Sequence, residues 1–525
     1  MTARFFRHLP ALIMMMATPF AARANGDTYT VTLDPQLECG SKTGRVMLFF
    51  ITETGPDWEG VSPLEAPFFD FPQPIASASV EGLNPGDAVV LTGHSLAFPG
   101  SLDDLHGRIR VQAVLDVDHT ERSFLEGPGN VISDEVVAMV SRESLDEQIS
   151  ITLSRVTGER DMPKGTPNLR WIALRSDMLS DFYGCDVYHR AGIALPKGYE
   201  DPEFPRQEWP AIYIVPGFGG RDVDALGYAE MINIANDDLY PHAVYIILDP
   251  ESPLGHHGFC DSQNNGPRET ALIEEFIPYL ESQLRIVPRA EARLLYGHSS
   301  GGWSVLWLQL NWPEVFGACW SSGPDPIDFS AFQYSNLYED RNLFSFAPDV
   351  PGNETPSYRV VDFHGRDVVH MTVRQEAMME YVIDPYGGSG QQWDAWEAMW
   401  SPRDERTSLP RPMFDASTGA IDREVVEHWR FSYDIFLIVR KDWDRLMPVL
   451  EGKVRVLCGE FDNYYLDRAV RRFKEMVELR AAGAWNGPGY IEIVEFAAHG
   501  SLVDLTTQRI HQEMREHLQA HGLHD

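Results

Sequence analysis

The stretch Arg293-Leu294-Leu295-Tyr296-Gly297-His298-Ser299-Ser300-Gly301-Gly302-Trp303 constrains the fold more than any other part of the chain. It writes Gly-x-Ser-x-Gly between a strand-like run, Ala292 to Tyr296, and a helix-like one, Ser304 to Leu310. A backbone that passes from strand to helix in so few residues must turn sharply, and the serine at the apex is strained, with its hydroxyl clear of the sheet. Flanking glycines let strand and helix pass without a Cβ clash. The pentapeptide alone also fits a glycine-rich turn, and its flanks are what nominate Ser299 as a nucleophile.

After about Phe182 the chain alternates strand and helix. Ala211 to Val215 and Ala243 to Leu248 are continuous apolar runs, as in parallel strands buried on both faces. Between such strands, Thr270 to Leu284 places Leu272, Ile273, Phe276, Ile277 and Leu280 on one helical face. Phe316 to Trp320, Val454 to Cys458 and Tyr490 to Phe496 extend the set. The pattern predicts an α/β domain with a doubly wound, mostly parallel sheet.

The other segments differ. With 525 residues the chain exceeds one compact core. Tyr29 to Leu33, Arg45 to Ile51, Ala88 to Leu91, Arg108 to Leu115 and Ile149 to Leu153 read as short strands separated by turns such as Asn84-Pro85-Gly86-Asp87. They predict an all-β, sandwich-like accessory domain over 25–181. The α/β domain then occupies 182–328 and 451–525, and 329–450 is an aromatic-rich insertion. Leaving from the catalytic edge of the sheet, the insertion reads as a lid or cap, although aromatics at helical spacing equally build a core.

Residues 1–24 read as a signal peptide: Arg4 and Arg7, an apolar run from Leu9 to Ala21, and Ala22-Arg23-Ala24 before Asn25. That predicts a periplasmic or secreted protein without stable membrane insertion after cleavage. The five cysteines are too few for a disulfide scaffold and lack Cys-x-x-Cys spacing for zinc. A formal net charge of −35 argues against nucleic-acid partners, whose phosphates it would repel.

A serine hydroxyl needs a histidine base and an orienting carboxylate. Asp462 follows the strand ending at Cys458, and His499 follows the strand Tyr490 to Phe496, in the order Ser, acid, His. Glu460 and Asp467 are rival acids, Asp467 reading as a helix N-cap. His298, His256, His257, His364 and Trp396 are candidate pocket residues. Oxyanion donors are expected at the amide of Ser300, at the helix start, and of Phe218, in the glycine-rich loop Val215-Pro216-Gly217-Phe218-Gly219-Gly220.

These elements, with Gly258 to Gly266 and the helix carrying Glu274-Glu275-Phe276-Ile277-Pro278-Tyr279-Leu280-Glu281, resemble the putative-esterase family of α/β-hydrolases, which includes esterase D, enterochelin esterase and feruloyl esterase-like proteins. The resemblance covers about Val187 to Asp328 and Lys453 to Leu518. It departs at Pro216, where the family often has histidine. It implies hydrolysis of a small-molecule or polymer-borne carboxylic ester through an acyl-enzyme, with no metal or organic cofactor. Acyl transfer by the same machinery is one alternative. Another is a glycan- or polymer-binding protein with a degenerate hydrolase domain.

Overall fold

The computed structural model describes residues 27–523 except 54–59, 66–71, 119, 142–146, 204–205, 235–239, 347–351 and 484. The expected signal segment lies outside the described residues.

One eight-stranded sheet organises the chain from Leu169 onward. Its strands run in the spatial order Leu169–Ser176, Val187–Ala194, Val244–Leu248, Ala211–Val215, Arg293–His298, Ala318–Ser322, Val454–Gly459, Tyr490–Val494. The first two junctions are antiparallel and all others parallel. The runs read as doubly buried strands are buried at every residue. The expected boundary near Asp181 needs correction, because Leu169–Ser176 already belongs to this sheet as its antiparallel edge. Its mixed pattern of apolar and polar residues, half exposed, resembles the upstream β segment and gave no sign of the change.

The N-terminal segment, from Thr28 to Val156, forms a single nine-stranded sheet with its own apolar core, including Tyr29, Val31, Val46, Leu48, Phe50, Val111 and Leu115. It is not a free-standing module. In Lys42–Thr52 the run Val46 to Ile51 is buried on both faces, and Met47 and Phe49 pack with Met379, Val382 and Ile383 of the insertion helix Val373–Ile383. Arg45 Nε and Ser77 Oγ both donate to the carbonyl of Val382, at 3.2 and 2.6 Å.

The insertion leaves after Ala318–Ser322 and returns through the helix Trp443–Lys453, which packs on the helix Ser300–Asn311. Its tryptophans are mostly core: Trp393, Trp400 and Trp429 cluster with Phe329 and Phe332, and Trp400 lies 5.2 Å from Trp303 of the serine helix. The expected lid is therefore a wall. Burying this much aromatic surface fixes it to the sheet layer.

Candidate active site

Ser299 sits between its strand and the helix Ser300–Asn311 with φ 60° and ψ −126°, a conformation a residue with a Cβ adopts only when its surroundings hold it there. Those surroundings are tight. A Cβ on Gly297 would lie 2.1 Å from the carbonyl oxygen of Gly301, and one on Gly301 would lie 1.9 Å from that of Val215. Ser299 makes no capping bond to the helix that follows.

A pocket of about 270 Å³ opens on the serine, lined by Gly217, Phe218, His298, Ser299, Trp396, Tyr464, Leu466 and His499, with Asp325, Gln333, Glu376 and Gln392. Behind His499 stands Asp462, whose Oδ2 accepts from Nδ1 at 2.7 Å. The Oδ1 of Asp462 accepts from the amides of Tyr464 and Leu466 at 2.9 and 3.2 Å, fixing the carboxylate plane. His499 is held through its own amide, which donates to Oδ1 of Asn463 at 3.0 Å. The strand before it ends at Val494, two residues short of the expected Phe496, and His499 opens the last helix.

Burial acts on both partners, and pairing outweighs it. Desolvation alone would lower the His499 imidazole, but the charge and hydrogen bond of Asp462 raise it above its ordinary value. Desolvation alone would raise Asp462, but His499 holds it below the usual carboxylate range.

The rival acids are engaged elsewhere. Glu460 accepts from the amide of Phe496 at 3.1 Å. Asp467 is the first residue of its helix, not the expected N-cap, and pairs with Arg359 and Arg471 at 3.1 and 3.0 Å.

The other histidines divide. His298 lines the pocket, bonds Oγ of Ser322 through Nδ1 at 3.1 Å and packs 4.4 Å from His499. Burial, then His499, pushes it down to about 3, so it is neutral. His256 is not among the lining residues, which corrects the expected substrate contact. Its Nδ1 accepts from the amide of Gly258 at 3.1 Å, so Nε2 carries the proton and donates to the carbonyl of Pro216 at 3.0 Å. It steadies the loop carrying Phe218. His257 is buried against Phe259, and His364 is exposed on a hairpin tip.

Sequence reasoning missed Asp325. Its amide donates to the carbonyl of Ser299 at 3.2 Å, and its Oδ2 accepts from Oγ of Ser300 and Nε1 of Trp396, both at 2.7 Å. Burial pushes it up to about 6. The available signal was an acid three residues beyond the end of a parallel strand. Glu376, also missed, is pushed up to about 7 by burial; Trp393 and Ser357 stand close enough to favour its carboxylate, yet neither closes a hydrogen bond.

Residues 188–411 match the family described as "Putative esterase". The match spans less than half of the chain and makes this segment similar to that family. The matched segment holds Phe218, His298, Ser299, Asp325 and Trp396, runs well into the insertion and ends before Asp462 and His499. Among solved structures, a ferulic acid esterase is similar at 14% identity over 66% of this chain and 98% of that one, with a TM-score of 0.40. A fluorophosphonate-binding serine hydrolase F from Staphylococcus aureus, substrate bound, is similar at 12% over 66% and 98%, TM-score 0.35. An S-formylglutathione hydrolase from Agrobacterium tumefaciens is similar at 11% over 67% and 95%, TM-score 0.34. No curated protein matches the sequence.

Proposed function

We propose that the protein is a serine carboxylic-ester hydrolase that works through Ser299, His499 and Asp462 by way of an acyl-enzyme. The observation that carries this reading is that the strained Ser299 faces the same pocket as an imidazole already paired, on its far nitrogen, with a buried carboxylate. Nε2 of His499 takes the hydroxyl proton as Oγ attacks the ester carbonyl, and the amides of Ser300 and Phe218 hold the oxyanion. The imidazolium gives its proton to the leaving alkoxide, which departs as the alcohol. Water, deprotonated by the same imidazole, attacks the acyl carbon. Collapse then returns the proton to Oγ and frees the acid.

The pocket supports a short substrate group with hydrogen-bonding atoms rather than a long hydrocarbon chain. Its volume is about 270 Å³, and beside Trp396 and Leu466 it is lined by Asp325, Glu376, Gln333 and Gln392, with Oε1 of Gln333 and Nε2 of Gln392 lacking partners among the described residues. Unpaired buried groups penalise an apolar occupant. The N-terminal segment supports export before folding.

Fluorophosphonate labelling and hydrolysis of p-nitrophenyl acetate test the mechanism. Both are expected in the wild type and absent in Ser299→Ala, and turnover surviving in that variant would overturn the assignment. Hydrolysis of p-nitrophenyl glycolate in preference to the octanoate tests the pocket. Sequencing the protein recovered outside the cytoplasm tests export, with Asn25 expected first.

A further inference from the structure

The N-terminal sheet reaches the oxyanion loop through one side chain. Arg122 belongs to the connection between the strands Gly107–Asp116 and Val131–Ser133, and its guanidinium carbon lies 4.8 Å from the centre of the Phe218 ring. Its Nε donates to Oε2 of Glu251 at 2.6 Å, and the side chains of the pair are 17% and 4% exposed. Gly390 crowds its stem, since a Cβ there would lie 2.7 Å from Cγ of Arg122. The guanidinium thus stands where three parts of the enzyme meet: the loop carrying Phe218, the chain just beyond the strand Val244–Leu248, and the turn leading into the helix of Gln392 and Trp396.

The connection that delivers Arg122 is itself pinned. On either side of it, Glu121 and Glu126 accept from Nη1 of Arg221 at 3.1 and 2.6 Å, and Nη2 of Arg221 donates to Asp249 at 2.9 Å. Arg160 joins Asp222 to Asp249 at 2.7 and 3.3 Å. Arg221 and Asp222 directly follow the glycine-rich loop, so the same ion network holds the base of that loop and the arm that touches its tip.

Phe218 lies between Gly217 and Gly219-Gly220, so little in its own backbone fixes where its amide points. An oxyanion donor is effective only when aimed beforehand, and a small misplacement costs much of its effect. Arg122 is not among the residues lining the pocket. Its planar face over the ring restrains Phe218 in a way that a lysine ammonium, compact and strongly hydrated, would not.

We propose that Arg122 is a positioning residue for the oxyanion hole, so that the N-terminal β-domain is a working part of the active site rather than a detachable module. This rests on the reading of the Phe218 amide as an oxyanion donor.

The test uses the full chain, with kcat and KM for p-nitrophenyl acetate, the rate of fluorophosphonate labelling and thermal unfolding. Arg122→Lys keeps the charge opposite Glu251 and is expected to unfold near the wild-type temperature, with kcat and labelling rate reduced about 10- to 100-fold and KM little changed. Arg122→Ala is expected to lose more and to regain part of it with added ethylguanidinium. Phe218→Leu keeps the amide and removes the ring; it should lose a similar factor, and combining it with Arg122→Lys should add little. Wild-type kcat in Arg122→Lys would overturn the inference, as would fully additive losses, or a raised KM at constant kcat, which would make Arg122 a substrate contact. Turnover surviving in Ser299→Ala would instead sink the underlying mechanism.

Discussion

Oδ2 of Asp462 accepts from Nδ1 of His499 at 2.7 Å, while Oδ1 of the same carboxylate is occupied by two backbone amides. The amides hold one oxygen and the imidazole the other, so the side chain has a single orientation. In Asp462→Asn the oxygen stays with the amides and the NH₂ faces the imidazole. Nδ1 must then accept, so Nε2 carries the proton and cannot receive one from Ser299. We expect kcat to fall about 10⁴-fold with a near wild-type unfolding temperature. A loss of less than tenfold would assign the orienting role to another acid.

The pH profile follows from the same pair. His499 acts as a base only when neutral, and Asp462 raises its pKa above the ordinary imidazole value. The kcat/KM should therefore climb with pH through a midpoint above about 6.5. Asp325 also favours the imidazolium electrostatically. Removing that negative charge in Asp325→Asn lowers the His499 pKa, so the acid limb should move to lower pH. A limb that stays or moves upward would show that Asp325 acts only through its bonds to Ser300 and Trp396.

His256 acts at a distance from the ester. Burial pushes its pKa down to about 4, so its bonds to Pro216 and Gly258 persist across the working range. His256→Phe keeps a ring of similar size but leaves the Pro216 carbonyl without this donor, at a cost of about 1–3 kcal/mol. We expect kcat to fall by about 10² through the loosened Phe218 loop, with KM little changed. A rise in KM alone would restore the substrate contact expected from sequence.

The serine turn, the acid and the histidine were legible because each is a local necessity. Gly297 and Gly301 are dictated by carbonyl oxygens near 2 Å from where a Cβ would stand, and Asp462 and His499 lie just beyond strands that the apolar pattern marks. Asp325 was not legible, since its partners Ser300 and Trp396 lie 25 and 71 residues away and only the fold joins them. Arg122 meets Glu251 across 129 residues. The aromatic insertion was ambiguous for a different reason. Periodicity shows that Trp393, Trp396 and Trp400 share a helix, but not that Trp400 faces Trp303 while Trp396 reaches the pocket.

Two glycines make a stability comparison. Gly301→Ala drives a methyl group into the carbonyl of Val215, and the strand and helix that would have to part are both in the core. We expect a loss of at least about 1–3 kcal/mol by denaturant unfolding. Gly500→Ala, in the last helix with nothing within 4 Å of the added carbon, should be neutral or stabilising. Equal stabilities would mean that the serine turn is looser than its contacts require.

Glu376 is where substrate choice can be changed without touching the serine. Its carboxyl is buried in the pocket wall, and among the described residues no arginine or lysine lines that pocket. A hydroxyl on the bound group can donate to it; a hydrocarbon leaves it desolvated and unpaired. In Glu376→Leu the ratio of kcat/KM for p-nitrophenyl glycolate to that for p-nitrophenyl propionate should fall about tenfold, the equivalent of one hydrogen bond of about 1.4 kcal/mol. Most of that change should come from improved turnover of the propionate. Glu376→Gln keeps an acceptor and should retain more of the preference for glycolate. An unchanged ratio in Glu376→Leu would place the hydroxyl elsewhere and leave Glu376 with a role in folding alone.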